Sequence, residues 1–252
     1  MDATRISDGK LVMLKMLPKE EGPYELEINK LFSTEPLASD PRNHCVRLLD
    51  VIELPNDPPI IVHPLLRPFS DPHFQTYGEF VTFFSHVCEV SLVSPQVGIQ
   101  LTIIGCQIHA RESRRSPVCS SRLSHIPFLD MAYRDCTYGN IMLDPTDMFP
   151  ESFHPTAIHR SKDFRRKVKW HSRTRCPTRY FLIDFGLSRR YDPANGPPLD
   201  VPLRGGDKSA PEHQDRVTRH NPFPTDVYYL GNLVREDFMQ VYALPSTPDT
   251  QR

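Results

Sequence analysis

Few groupings of side chains in this sequence have types and spacing suited to chemistry. One is Tyr133-Arg134-Asp135-Cys136-Thr137-Tyr138-Gly139-Asn140-Ile141-Met142, where an Arg-Asp pair stands five residues ahead of an Asn and the chain then turns apolar. A carboxylate can move a proton, and carboxylate and amide oxygens suit hard cations. Taken alone, Asp-x4-Asn recurs by chance and reads as a polar turn before a short strand. Cys106 and His109 are the only Cys/His pair at ligand-like spacing, and no second pair completes a site, so structural zinc is not expected. The basic run HRSKDFRRKVKWHSRTR (159–175) holds a single acid, Asp163. It reads as a solvated loop or, more sharply, as a nuclear-import or acidic-substrate docking patch.

These groups need elements to hold them. GKLVMLKM (9–16) follows an Asp8-Gly9 turn and sets apolar side chains around Lys15, the pattern of a hairpin strand with the lysine in or beside a site. ELEINKLF (25–32) fits a helix stripe, and CVRLLDVIELP (45–55) and PPIIVHPLL (58–66) read as strands. GEFVTFFSHVCE (78–89) predicts a helix. RYFLIDFGL (179–187) is a short apolar strand ending in Asp-Phe-Gly, and TDVYYLGNLV (225–234) is a helix with Thr225 or Asp226 near its N-cap. Between these, 90–128 and 144–178 show no sustained period and read as irregular insertions.

Order is what gives the pieces meaning. A strand lysine, a helix glutamate, Arg-Asp-x4-Asn, Asp-Phe-Gly (184–186), Ala-Pro-Glu (210–212) and an Asp-opened apolar helix follow one another. That succession resembles the protein-kinase catalytic domain. VMLK (12–15) stands where the family has V-A-I-K, and LEINKL (26–31) looks like its αC helix. YRDCTYGN (133–140) resembles the catalytic loop, and DVYYLG (226–231) the start of the helix that anchors the large lobe. The resemblance implies an α+β, two-lobed protein-kinase-like fold, with a partial N-lobe over 1–63 and a partial, helical C-lobe over 64–252.

It also implies roles. Lys15 would hold the α/β-phosphates of ATP, steadied by a glutamate of the helix. Glu27 best fits the family's E-I-x-x-L pattern, with Glu25 and Glu21 as rivals. Asn140 and Asp184 would hold Mg2+, Asp135 would take or orient the proton of the attacking hydroxyl, and Arg134 would face a phosphate or an acid from the segment that follows Asp184. The expected reaction is transfer of the ATP γ-phosphate to a protein substrate, on Ser/Thr rather than Tyr. Two other readings stand beside it: an inactive, kinase-derived binding module, and a small-molecule phosphotransferase, against which the pairing of Asp-Phe-Gly with Ala-Pro-Glu argues.

Departures from the family pattern are specific. Tyr133 replaces its histidine, Thr137 replaces the lysine that meets the γ-phosphate, and Gly205 stands where a threonine often closes the loop's hydrogen bonds. No G-x-G-x-x-G occurs, and the chain ends shortly after the DVYYLG helix. Glu212 is therefore expected to lack its usual arginine. The stretch 90–128 interrupts what the family makes one helix, and reads equally as a misplaced splice product or a lineage-specific loop.

Composition sets the outer limits. The 252 residues carry 30 Lys+Arg against 31 Asp+Glu, so no global charge draws the chain to nucleic acid or anionic membrane, and no DNA or RNA partner is expected. Pro, at 26 residues, is about twice usual and Gly, at 11, is scarce, which predicts stiff, irregular connections around a modest core. Met1-Asp2-Ala3 opens no signal peptide, the longest apolar run is too short for a bilayer, and the six cysteines lack a C-x2-C pair. An intracellular protein, cytoplasmic or nuclear, is the expectation.

Overall fold

The computed structural model describes residues 1–18, 22–91, 131–203, 207–215 and 217–240, with the side chains of 89–91, 193 and 240 excepted. Nearly all of the stretch 90–128, including Cys106 and His109, lies outside the described residues, as do Glu21 and Gly205. What is described is a mixed α+β structure of small antiparallel sheets and three α-helices.

The chain opens with the expected hairpin, β1 (Asp2–Thr4) against β2 (Leu11–Met16). Gly9 takes φ +68°, a conformation that costs glycine little, and its N–H donates to the Arg5 carbonyl at 2.8 Å. The sheet continues through β3 (Asp50–Ile52) and β4 (Ile60–Pro64) in the order β1-β2-β4-β3. Lys15 pairs with Ile61 in this register, and Val12, Ile61 and Val62 are buried.

Helix α1 (Glu25–Phe32) coincides with the predicted segment, with Glu25 and Glu27 in its first turn and Lys30 in its last, as the helix dipole favours. Glu25, Ile28, Asn29 and Phe32 are the buried residues. Their i, i+3, i+4, i+7 spacing is one face of a helix.

Strands β5 (Arg67–Pro68), β7 (Ile141–Leu143) and β8 (Tyr180–Leu182) form a second sheet, and β6 (Met131–Ala132) pairs with β9 (Arg189–Arg190). Ile141 faces Leu182 and Leu143 faces Tyr180, all four buried, so alternation sets this register. Cys45 bridges Leu182 in parallel, with Val46 N–H on the Leu182 carbonyl at 2.9 Å, which ties the chain after α1 to β8. Helix α2 (Tyr77–Ser91) buries Phe83 and Val87 against β8 and α3 (Phe223–Val234). α3 begins two residues before the expected start, with Pro222 as its N-cap, so Thr225 and Asp226 lie inside its first turn.

Segment 144–178 is more organised than its composition suggests. Met148, Phe149 and Phe153 form a small core of their own. The Arg67 guanidinium lies 4.3 Å from the Phe149 ring centroid and 4.7 Å from that of Phe153, and donates to the Ile158 carbonyl at 2.8 Å and to Asp71 at 2.9 Å. Arg173, inside the basic run, is 5% exposed and donates to the carbonyls of Pro72 at 2.6 Å and Phe69 at 2.5 Å. The solvated-loop reading of 159–175 is therefore corrected for Arg173, whose planar fork of donors serves to tie backbone to backbone. Arg166 and Lys169 meet Glu151 at the surface, at 2.7 and 3.6 Å. Among the described residues no helix is long and apolar enough to cross a membrane.

Candidate active site

Lys15 projects from β2 between two carboxylates. Its Nζ donates to Glu25 Oε1 at 2.7 Å and to Asp184 Oδ1 at 2.8 Å. Burial works against the ammonium's charge, yet the bonds to Asp184 and Glu25 outweigh it and hold the lysine above its ordinary pKa. The partner from α1 is thus Glu25 and not Glu27, a correction to the E-I-x-x-L reading. Glu27 is 64% exposed on its side chain and lies 3.5 Å from Arg190. Helix phase is the reason: Glu25 shares the buried face of Ile28, Asn29 and Phe32, and a residue two positions on points well away from it.

Close backbone approach supports this pair. A Cβ on Gly22 would come within 3.1 Å of Gly186 Cα and 3.3 Å of Glu25 Oε2. A side chain at Gly22 would be tight here, so that its neighbours would have to shift by a few tenths of an ångström, and glycine suits the close approach of the chain ahead of α1 to the turn that carries Asp184. Asp184 itself has φ +58°, a left-handed conformation that a non-glycine residue adopts at a cost and that recurs at functional sites. Its Oδ1 also accepts the Gly186 N–H at 3.2 Å, and Phe185, fully buried, anchors the turn between Phe32 and Tyr133.

Asp135 and Asn140 share the loop ahead of β7. Asn140 Nδ2 donates to Asp135 Oδ2 at 2.6 Å and to the Asp135 carbonyl at 3.1 Å, while the Asn140 carbonyl accepts the Ile183 N–H at 3.0 Å. The last bond joins the loop to the strand end that carries Asp184. Burial first, and then the neighbouring Asp184 charge, push the Asp135 carboxyl up to about 6 against the pull of its bond to Asn140. Thr137, at the position expected to lack a cation, brings its hydroxyl to 3.5 Å from Asp135 Oδ1, the outer limit of a hydrogen bond.

The loop is held from behind by contacts whose partners the sequence did not pair. Asp226 of α3 accepts the Tyr133 N–H at 2.8 Å and the Arg134 N–H at 2.6 Å, and burial pushes its carboxyl up to about 7. Arg134, at φ +69°, turns its guanidinium to Asp200, with Nη1 3.0 Å from Oδ2. The Tyr133 hydroxyl donates to the Ile183 carbonyl, and its ring meets Phe185 edge-on at 5.5 Å. The phenol thus spans from the loop to the residue before Asp184. Asp226 was visible as the acid opening an apolar helix; its partners, nearly a hundred positions away, were not. Glu212 Oε2 is buried with no hydrogen-bond partner among the described residues.

The structure therefore brings Lys15, Glu25 and Asp184 together, joins Asp135 to Asn140, and links the two sets through the Ile183–Asn140 bond. It leaves Glu27 outside, and Arg134 meets Asp200, an acid of the segment that follows Asp184, as expected. Three acids, an amide and a cation in this arrangement can bind phosphate, hold a cation and receive a proton. Compared with protein-family models and with curated protein sequences, the chain matches none.

Proposed function

We propose that the chain is a protein-kinase-like phosphotransferase that moves the γ-phosphate of ATP to a Ser or Thr hydroxyl of a protein. The observation that carries this reading is Lys15, bonded at once to Glu25 and Asp184, beside a loop on which Asp135 and Asn140 are bonded to each other. Phosphoryl transfer asks mainly for positioning and charge stabilisation, and these residues supply both.

Lys15 would exchange its bond to the half-exposed Asp184 for one to the ATP phosphates, while Glu25 keeps the ammonium in place. Asn140 and Asp184 would hold Mg2+. Both bonds of Asn140 use Nδ2, which leaves its amide oxygen for a cation. Among the described residues no group of three or more His, Cys, Asp and Glu could hold a metal. An oxygen pair of this kind still fits Mg2+, which keeps waters and phosphate oxygens in its shell. Bound there, the ion would supply neutralisation of phosphate charge. The substrate oxygen attacks the γ-phosphorus, the bond to the β–γ bridging oxygen breaks, and Asp135 receives the hydroxyl proton. A carboxyl raised to about 6 suits that task near neutral pH, being ionised yet more basic than an ordinary aspartate. The setting would be intracellular, where ATP is abundant and buried thiols such as Cys45 and Cys136 stay reduced.

A non-catalytic nucleotide-binding module is the second reading, favoured by Thr137 in place of a cation. A thermal melt of the full chain with and without Mg-ATP, beside Asp184→Ala, and an assay of radiolabelled γ-phosphate transfer to a Ser/Thr peptide library test both. Stabilisation that Asp184→Ala abolishes, together with labelled peptide, is the expected result. Stabilisation without label selects the second reading, and neither signal overturns both.

A further inference from the structure

The stretch 70–75 ahead of α2 and two residues of segment 144–178 enclose a recess of about 460 Å3, which none of Lys15, Asp135, Asn140 and Asp184 lines. Small-ligand sites span ~300–1,000 Å3. Its wall includes Asp71, His73, Phe74, Gln75, His159 and Trp170. The Asp71 carboxylate is already engaged, accepting from Arg67 at 2.9 Å with His159 Nδ1 at 3.6 Å. Arg173 covers the Phe74 ring at 4.2 Å and holds the Pro72 carbonyl at 2.6 Å. Trp170 is different. It is the one tryptophan of the chain and is 38% exposed. Among the described residues its ring meets no other ring or cation, and its indole N–H has no hydrogen-bond partner. A tryptophan usually packs its ring and pairs its N–H, so this one leaves a stacking face unused beside a recess.

His159 and Trp170 flank a basic hairpin. Arg160 bridges Lys167, the Ser161 N–H donates to the Arg166 carbonyl at 2.9 Å, and the Val168 N–H donates to the His159 carbonyl at 3.0 Å. Arg165, Arg166 and Lys169 have carboxylate neighbours in Asp163 and Glu151. Arg160, Lys162 and Lys167 have none among the described residues. At the tip Phe164 is 55% exposed and held at φ +63°, a conformation costly for a bulky residue. The Arg160 guanidinium lies 5.8 Å from its ring centroid. The chain-wide charge balance that speaks against a nucleic-acid partner averages this cluster away.

Unpaired cations next to an unused indole ask for a ligand that carries anions and planar rings at short, repeated spacing, as a single strand of nucleic acid does. An acidic peptide would answer the cations and leave the ring idle, and a bilayer cannot enter a recess. His73 and Gln75, both exposed, supply hydrogen-bonding groups for a base edge and a ribose hydroxyl, which single-stranded RNA presents. We infer that this surface binds single-stranded RNA, with one base entering the recess to stack on Trp170 and neighbouring phosphates on Arg160, Lys162 and Lys167. The inference is independent of the phosphotransfer reading.

The test uses the full chain, without ATP, and an end-labelled, unstructured RNA of about 12 nucleotides. Intrinsic fluorescence reports on the site directly, because the chain holds one tryptophan. The RNA should quench that fluorescence over the same concentrations at which it raises the anisotropy of the label. Trp170→Ala should weaken binding about five- to a hundredfold, the loss of one base stack, and Trp170→Phe should recover part of it. Lys162→Gln combined with Lys167→Gln should weaken binding and lower the slope of log affinity against log salt by about 0.7 per cation removed. Should Trp170→Ala fail to fold, the lysine pair, both exposed, decides. Absence of binding, binding that leaves Trp170 unquenched, or wild-type affinity in a folded Trp170→Ala would overturn the inference. So would displacement of the RNA by a matched DNA strand, AMP, a glutamate-rich peptide or phosphatidylserine vesicles as readily as by unlabelled RNA. Because no ATP is present, failure here leaves the phosphotransfer reading standing.

Discussion

The loop 133–140 is fastened from outside chiefly by carboxylates, and segment 144–178 chiefly by guanidiniums, with Glu79 on Thr174 the exception. Asp226 and Asp200 take up backbone N–H groups and the Arg134 side chain, while Arg67 and Arg173 give hydrogen bonds to backbone carbonyls. The difference is one of purpose. A guanidinium is charged at every accessible pH and stacks on rings, so it fastens an irregular segment permanently. Carboxylates titrate and tune one another, as Asp184 does Asp135, so the same kind of fastening also adjusts a proton-accepting group. One region is pinned, and the other is pinned and poised.

The sharpest way to break this comparison is to remove the poised group. Asp135→Asn should lower kcat about 100- to 10,000-fold with the circular dichroism spectrum intact. Wild-type kcat should fall about tenfold for each pH unit below about 6, because protonation of the raised Asp135 removes the base. Activity that survives the substitution would make Asp135 structural, like the arginines.

Removing a pin comes next. Arg67→Ala strands Asp71, frees the Ile158 carbonyl and opens the space between Phe149 and Phe153. A stability loss of about 3–5 kcal/mol is expected from urea unfolding. A loss under about 1 kcal/mol would reduce this arginine to a surface residue.

Glu25→Gln and Glu27→Gln separate the two helix acids. The first should weaken Mg-ATP stabilisation and cut kcat/KM by roughly tenfold, and the second should leave both near wild type, because only Glu25 reaches Lys15. Equal effects would return the assignment to an open question of helix phase.

A smaller effect distinguishes the regions by pH. Asp135 and Asp226 have folded-state pKa values raised to about 6 and about 7, above those of an unfolded aspartate. Their ionisation therefore costs stability progressively as pH rises from about 4 to 7. Glu79 runs the other way: burial opposes its charge, but N–H donation from Gln75 and the bonds from Thr174 outweigh it and lower its pKa. Its contribution is present above the unfolded value of about 4.3 and lost as pH falls through the folded one. Exchange protection corrected for intrinsic rates should thus fall at 172–176 on acidification while holding or rising at 133–140. The smallest effect is Arg166→Ala, which breaks an exposed pair with Glu151 and should cost about 1 kcal/mol or less.

Local pattern was the legible part of the fold. The strand around Lys15, the bounds of α1, and strands β7 and β8 all follow from turn residues and apolar spacing within one short window. The Asp135–Asn140 pairing was legible too, because both lie on one loop. Glu25 was readable in principle: Ile28 and Phe32 define a buried face, and stepping back one turn from Ile28 lands on it. The motif match to Glu27 competed with that phase and lost. Asp226, Arg67 and Arg173 were not legible as fastenings, since each acts mainly on groups dozens of positions away, and for Arg134 an acid partner was expected without its being identified as Asp200. Nothing in the neighbouring sequence marks one arginine of a basic run as the buried one.

Leu143 faces Tyr180 across the β7–β8 pair, and the Asp144 N–H donates to the Arg179 carbonyl at 2.9 Å. In topological terms the whole of 144–179 is the connection of a single β-hairpin, grown outward without disturbing the two strands that carry Asn140 and Asp184 at their ends. Closure entropy rises only slowly with the length of such a connection, so the hairpin can bear a long excursion as readily as a short one. The segment is in that sense an excursion from one hairpin, fastened to the rest of the molecule through Arg67 and Arg173, while the two strands themselves set the register that brings Asn140 beside Asp184.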